Sequence, residues 1–98
     1  MEISYSPFFW ETLIEFTATA EKHLKKLDRT WQALILDYLE DEVAPLENPR
    51  NKGKALMRDK KGLWRYRIGD YRAICKIEDE LMLIVAVTVG HRKDVYDE

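Results

Sequence analysis

The stretch Trp64-Arg65-Tyr66-Arg67-Ile68-Gly69-Asp70-Tyr71-Arg72 constrains this chain more than any other. Bulky apolar side chains alternate with arginines, which is the period of a strand with one face buried. Gly69-Asp70 then supplies a two-residue loop with glycine at its first central position, where a hairpin needs positive φ. The pattern predicts a strand at Trp64 to Ile68 and a second at Tyr71 to Ile77. It also predicts a register: Ile68 faces Tyr71, so Arg67 faces Arg72. Directly paired residues share a face, and Arg65, two positions from Arg67, joins them opposite Trp64 and Tyr66. Like charges set opposite one another destabilise a sheet, and no Asp or Glu lies on this hairpin face. Either the arginines turn to solvent or to acids from elsewhere in the chain, or they await an external anion. RNA phosphate is a good match for the planar guanidinium fork.

The rest of the chain supplies the layers around this hairpin. After a turn at Asp79-Glu80, Leu81 to Val89 is so uniformly apolar that it reads as a central strand covered on both faces. Upstream, Met1 to Tyr5 suits a short strand. Ser6-Pro7 reads as a helix cap followed by proline at the first helical position, where its missing N–H costs nothing. Phe9, Leu13, Phe16, Ala20, Leu24 and Leu27 form a helical stripe, and Asp28 opens a second helix carrying Trp31, Leu34, Ile35, Tyr38 and Leu39. Pro45 ends it. Residues 44–63 are mostly loop, with a short strand at Ala55 to Arg58. The expected fold is α+β: an N-terminal strand, an antiparallel helix pair, then an antiparallel β-meander, with the helices on one sheet face. The 98 residues make a single domain, too short for two cores.

Charge is distributed unevenly. Residues 1–48 hold ten acids and four bases, whereas residues 49–98 hold twelve bases and eight acids. Within residues 50–76 ten bases face only Asp59 and Asp70, a window of +8 inside a chain of net charge −2. Lys52, Lys54, Arg58, Lys60 and Lys61 make this window a candidate surface for RNA or the ribosome. A solvated loop is its plainer explanation. The longest apolar run is far short of the roughly 20 residues that cross a bilayer, so no membrane role is expected. Cys75 is alone, which excludes an internal disulfide or a cysteine-rich metal site and suits a reducing cytoplasm.

Val89-Gly90-His91-Arg92-Lys93-Asp94-Val95-Tyr96 carries polar groups past a glycine bend at the end of the long strand. His91 is a candidate proton carrier near neutral pH, or a plain surface residue. Tyr96 either stacks on an exposed base or covers the core. His23, among Lys22, Lys25 and Lys26, reads as solvated. No metal-ligand spacing, phosphate loop or nucleophile triad is present, so the expected chemistry is acid–base work without a metal or other cofactor.

Through Gly62 to Arg72 and Val89 to Tyr96, and in the order of its elements, the sequence resembles the RelE/ParE toxin superfamily, the toxin halves of type II toxin–antitoxin pairs. Both segments are similar to those of its RelE-like branch. The resemblance implies cleavage of mRNA in the ribosomal A site, restrained by a cognate antitoxin. By motif position it places Arg65 and Arg67 where the branch often has lysines that assist proton removal and phosphate binding. It puts Arg72 on the scissile phosphate, Arg92 near the leaving oxygen and Tyr96 against the substrate base. The departures are arginine at the two lysine positions, a net acidic chain, and a sequence that stops at Glu98. The other readings are a ParE-like inhibitor that acts by binding DNA gyrase, and an inactive domain held by an antitoxin.

Overall fold

The structure, a computed structural model, describes residues 12–56 and 62–93. They form a five-stranded sheet, two helices and short irregular turns. β1 (Leu13–Phe16) leads into α1 (Ala18–Lys25) and α2 (Arg29–Asp37), which continues as a π-helical segment over Tyr38–Val43. A 3-10 turn at Pro49–Asn51 precedes β2 (Lys54–Ala55), and β3 (Trp64–Ile68), β4 (Tyr71–Glu78) and β5 (Leu83–His91) complete the chain. The strand order is β1-β5-β4-β3-β2, antiparallel except for the parallel β1–β5 pair.

The helices begin where side chains satisfy their first backbone donors. Thr17 accepts the Ala20 N–H at 3.0 Å, and Asp28 accepts the Trp31 N–H at 3.1 Å. Ala20, Leu24, Ile35, Leu39 and Val43 then pack on Tyr66, Ile68, Ala73, Cys75, Ile84, Ala86 and Val89 from one sheet face. Tyr66 is completely buried in this layer, and its hydroxyl donates to the Pro49 carbonyl at 2.7 Å. That bond ties the 3-10 turn at Pro49–Asn51 to β3 and answers the polar atom that burial would otherwise leave unpaired.

The hairpin register is the one the sequence predicts: Ile68 pairs with Tyr71, and Arg67 with Arg72. Gly69 has φ +60°, as the turn requires. Other expectations need correction. The strand expected at Met1 to Tyr5 and the cap at Ser6-Pro7 lie outside the described residues. The helix expected to include Leu13 and Phe16 does not: these residues belong to β1. A spacing of three fits a helix, but Ile14 and Phe16 turn inward while Leu13 is 65% exposed, which is strand alternation. The helix starts only after Thr17. The short strand expected at Ala55 to Arg58 is Lys54–Ala55, with residues 57–61 outside the described set.

The last strand also shifts. Asp79–Leu81 forms a 3-10 turn and Met82 takes a left-handed conformation, so β5 starts at Leu83. It then runs through Gly90 to His91 without the expected bend. β5 lies inside the sheet between β1 and β4, as a central strand does, but it is not covered equally on both faces: it buries mainly the face carrying Ile84, Ala86 and Val89.

Candidate nucleic-acid interface

The face of the sheet turned away from the helices is basic along β2, β3 and the start of β4, with Glu15 and Glu78 on the same face toward the other end. Arg65 and Arg67 alternate with buried Tyr66 and Ile68, so both point to this far face, and Arg72 meets Arg67 there. Lys54 pairs directly with Arg65 across β2 and β3, which adds a fourth cation. The sequence places Lys54 in the basic window offered to RNA or the ribosome, with no pairing partner. The register of a two-residue strand, which has too little pattern to read, puts it beside the arginines.

This face is not open sheet throughout. Arg67 is exposed, but Arg72 is only 8% and Ile74 only 4% exposed. Arg65 and Arg72 are both engaged within the protein. Of the alternatives the sequence leaves open, solvent exposure does not hold for Arg72, which is buried and engaged within the protein, and Arg67 beside it is the exposed member.

His91 does not join the arginines. It pairs with Tyr71 on the helix-side face, and the two rings meet edge to face with centroids 5.4 Å apart. Tyr71 in turn contacts the Trp31 ring of α2 at 4.5 Å. A β-bulge explains the placement. The β4–β5 register slips between Ile74 and Cys75, pairing Ile74 with Thr88 but Cys75 with Ala86 and leaving Val87 as the extra residue. Without that residue the alternation starting from Ile84 and Ala86 puts His91 on the arginine side; with it, Val89 and His91 fall on the core side.

Arg92 follows at the same end of the sheet, where its backbone N–H donates to the Asp70 carbonyl at 2.8 Å. That bond fastens the end of β5 to the hairpin turn, close to Arg67 and Arg72 in the register. Tyr96, Arg58, Lys60 and Lys61 lie outside the described residues. Lys52 is anchored away from the arginine face by Glu42, 3.7 Å away, while its carbonyl accepts the Trp64 indole N–H at 2.7 Å.

His23 is not merely solvated. Beyond Phe16, β1 no longer covers β5, and the His23 ring takes over: its Nδ1 accepts the Val89 N–H at 3.3 Å. A long-range bond to a strand 66 positions away leaves no sequence pattern, so only the fold reveals it.

Two further groups support the site without joining it. Arg50 grips Asp79 through two hydrogen bonds of 2.7 and 3.1 Å, lowering the Asp79 pKa, and lies 5.9 Å from the Trp64 ring centroid. Cys75 is buried beneath the arginine-bearing strands, and burial pushes its thiol pKa up to about 12, which makes it a packing residue and a poor nucleophile.

Comparison with known proteins agrees with this architecture. The family model for the ParE toxin of type II toxin–antitoxin systems matches residues 14–96. The chain is 32% identical to Toxin RelG of Mycobacterium tuberculosis over 83 residues, spanning 85% of this chain and 93% of that protein. Toxin RelE of the same organism is 30% identical over 83 residues, covering 85% of this chain and 84% of that one. A chain of the RelBE2 toxin–antitoxin complex from M. tuberculosis superposes with a TM-score of 0.77 at 31% identity, covering 86% and 94% of the two chains. The isolated RelE toxin of E. coli, 20% identical, shares the fold, with a TM-score of 0.65 and coverage of 82% and 83%. A small mixed sheet with two helices on one face is thus the scaffold of a toxin of the RelE/ParE superfamily. The chain belongs to the ParE toxin family of type II toxin–antitoxin systems.

Proposed function

We propose that this toxin is a ribosome-dependent mRNA endonuclease, and that the Lys54, Arg65, Arg67 and Arg72 face receives the scissile phosphate. The observation that carries this reading is the direct pairing of Arg67 with Arg72, flanked by Arg65 and Lys54 in register. Like charges set in register disfavour the strands that carry them, and a phosphorane carries the charge that this cluster is arranged to meet.

The reaction is attack of an RNA 2′-OH on its own 3′ phosphate. An O2′–P bond forms, the P–O5′ bond breaks, and the products are a 2′,3′-cyclic phosphate and a free 5′-OH. The guanidiniums hold the non-bridging oxygens and neutralise charge as it grows, a mechanism that needs no metal. Arg92, beside the hairpin turn, is assigned to the leaving oxygen, and Tyr96 to stacking of the substrate base. Arginine is a poor proton acceptor, whereas lysine can exchange a proton. Lys54, across from Arg65 and present as a cation, therefore donates a proton to the departing O5′, while the 2′-OH proton passes to solvent water, and His91 orders the end of the sheet through Tyr71.

The RelBE2 neighbour is a toxin–antitoxin complex, which supports a cognate antitoxin as the restraining partner of this chain. Production without an antitoxin is expected to arrest growth, and purified protein is expected to generate defined RNA ends on programmed ribosomes. The ParE description of the family supports a second reading, inhibition of DNA gyrase by binding. That activity makes no demand on the arginine face. Supercoiling inhibition with intact ribosomal mRNA selects it; mRNA cleavage with unimpeded supercoiling selects the nuclease.

A further inference from the structure

A recess of about 330 Å³ lies between the end of α1 and the outer edge of β5. It exists because β1 is short. β1 pairs with β5 only from Leu83 to Ala86, so the edge from Thr88 to His91 is left to side chains of α1. His23, Lys26, Leu27, Tyr71, Gly90 and His91 shape the walls, and no carboxylate is among the lining residues.

The donors in this recess are of one kind. His23 Nδ1 accepts from the Val89 N–H, and His91 Nδ1 accepts from the Lys93 N–H at 3.1 Å. With Nδ1 committed as acceptor, each ring carries its proton on Nε2 and is a donor there. Lys26 adds a fixed positive charge. Two imidazole donors and an ammonium, with no acid among the described residues that line the recess, suit an anion, while Leu27 and the Tyr71 ring provide apolar and aromatic surface for something larger than a bare ion.

The recess is also next to the arginine face. Gly90 lines it and is the direct register partner of Arg72, so the recess opens at the β5 edge one strand over from β4, on the helix side of the sheet, with the Arg72 side chain on the opposite face. Gly90 has no side chain to block a strand of RNA passing around the edge of β5. Resting on the nuclease reading above, we infer that this recess is a second nucleotide subsite, which takes the phosphate and unstacked base of a nucleotide flanking the scissile bond.

The test is an NMR titration of the full-length toxin with adenosine 5′-monophosphate, and separately with inorganic phosphate at equal concentration. AMP is expected to shift His23, His91 and Leu27 resonances more strongly than phosphate does. His23→Gln, which keeps an acceptor for the Val89 N–H, and Lys26→Gln should each weaken AMP binding by about tenfold, the scale of one charge-assisted hydrogen bond. Lys25→Gln, the same charge change on an exposed position outside the recess, should not. Circular dichroism melts confirm folding of each variant. Both recess variants should also raise the half-saturating concentration of programmed ribosomes severalfold. Undiminished AMP binding in both folded variants overturns the subsite, as does an equal response to phosphate alone. Loss of AMP binding in the variants, with no RNA cleavage by the wild-type protein, upholds the subsite and instead removes the nuclease reading.

Discussion

Arg67 and Arg72 face each other directly across the β3–β4 hairpin, one exposed and one buried, with their α-carbons in register on the side of the sheet away from the core. The pair is a local cost to folding, because like charges directly opposite disfavour the strands that carry them. Placing that cost on a hairpin paired along the whole of β3 is consistent with a site where strain is tolerated for binding an anion.

Removing the exposed member should therefore leave the protein no less stable. Arg67→Ala is expected to change stability by no more than about 0.5 kcal/mol, or to raise it by up to about 1 kcal/mol through relief of repulsion. Arg72→Ala should instead destabilise by about 1–3 kcal/mol, since it removes a buried and engaged side chain. Urea unfolding of the two variants checks the contrast.

The turn that sets this register depends on Gly69. Its φ is +60°, and an added Cβ meets Cη2 of Trp31 at 2.7 Å. Gly69→Ala should cost about 1–3 kcal/mol from backbone strain and displacement of the indole, and should broaden or shift the Trp31 fluorescence. A melting temperature unchanged from wild type would show that the turn carries no such constraint.

The hairpin was legible because its information is local: alternation over five residues, a glycine-led pair, and a register that follows by counting. The face of His91 was not, because it depends on Val87 being bulged out, a choice made by packing Cys75 against Ala86 and Ala73 against Val89. One extra residue reverses the alternation without changing the apolar character of Leu83 to Val89. Similarly, Leu13 and Phe16 fit a helical stripe as well as a strand, and what decides is the parallel pairing with Leu83 and Ala86, a partner seventy positions away. The chain's membership in a toxin family followed from two segments read together, while the contribution of Lys54 required the β2–β3 register.

Alkaline pH should weaken the fold through Cys75 and Tyr66. Burial raises both pKa values in the folded state, Cys75 from its ordinary 9.0 to about 12. An acid whose folded pKa is raised favours folding fully below its unfolded pKa, and that contribution is lost as pH climbs toward the folded value. Stability should thus fall progressively above about pH 9. Cys75→Ala should be less stable at neutral pH but lose less between pH 9 and 10 than wild type. Native Cys75 should resist iodoacetamide at pH 8 and react promptly in urea.

Ribosome binding should depend on salt. If Lys52, Lys54, Arg58, Lys60 and Lys61 contact ribosomal RNA, affinity falls linearly on a log–log plot against salt, and each neutralising substitution reduces the slope by about one. Sedimentation with ribosomes at a series of potassium chloride concentrations measures it; a flat plot would assign the basic window to solubility alone.

The most direct measurement of the central claim is single-turnover cleavage of mRNA on programmed ribosomes by wild-type toxin and by Arg67→Ala, a substitution at an exposed position where folding is preserved. Loss of a transition-state contact to the phosphate predicts a rate lower by roughly 100- to 1000-fold, or about 2.7–4 kcal/mol, at saturating ribosomes. Cleavage by folded Arg67→Ala at the wild-type rate would contradict the assignment of the arginine face to the scissile phosphate.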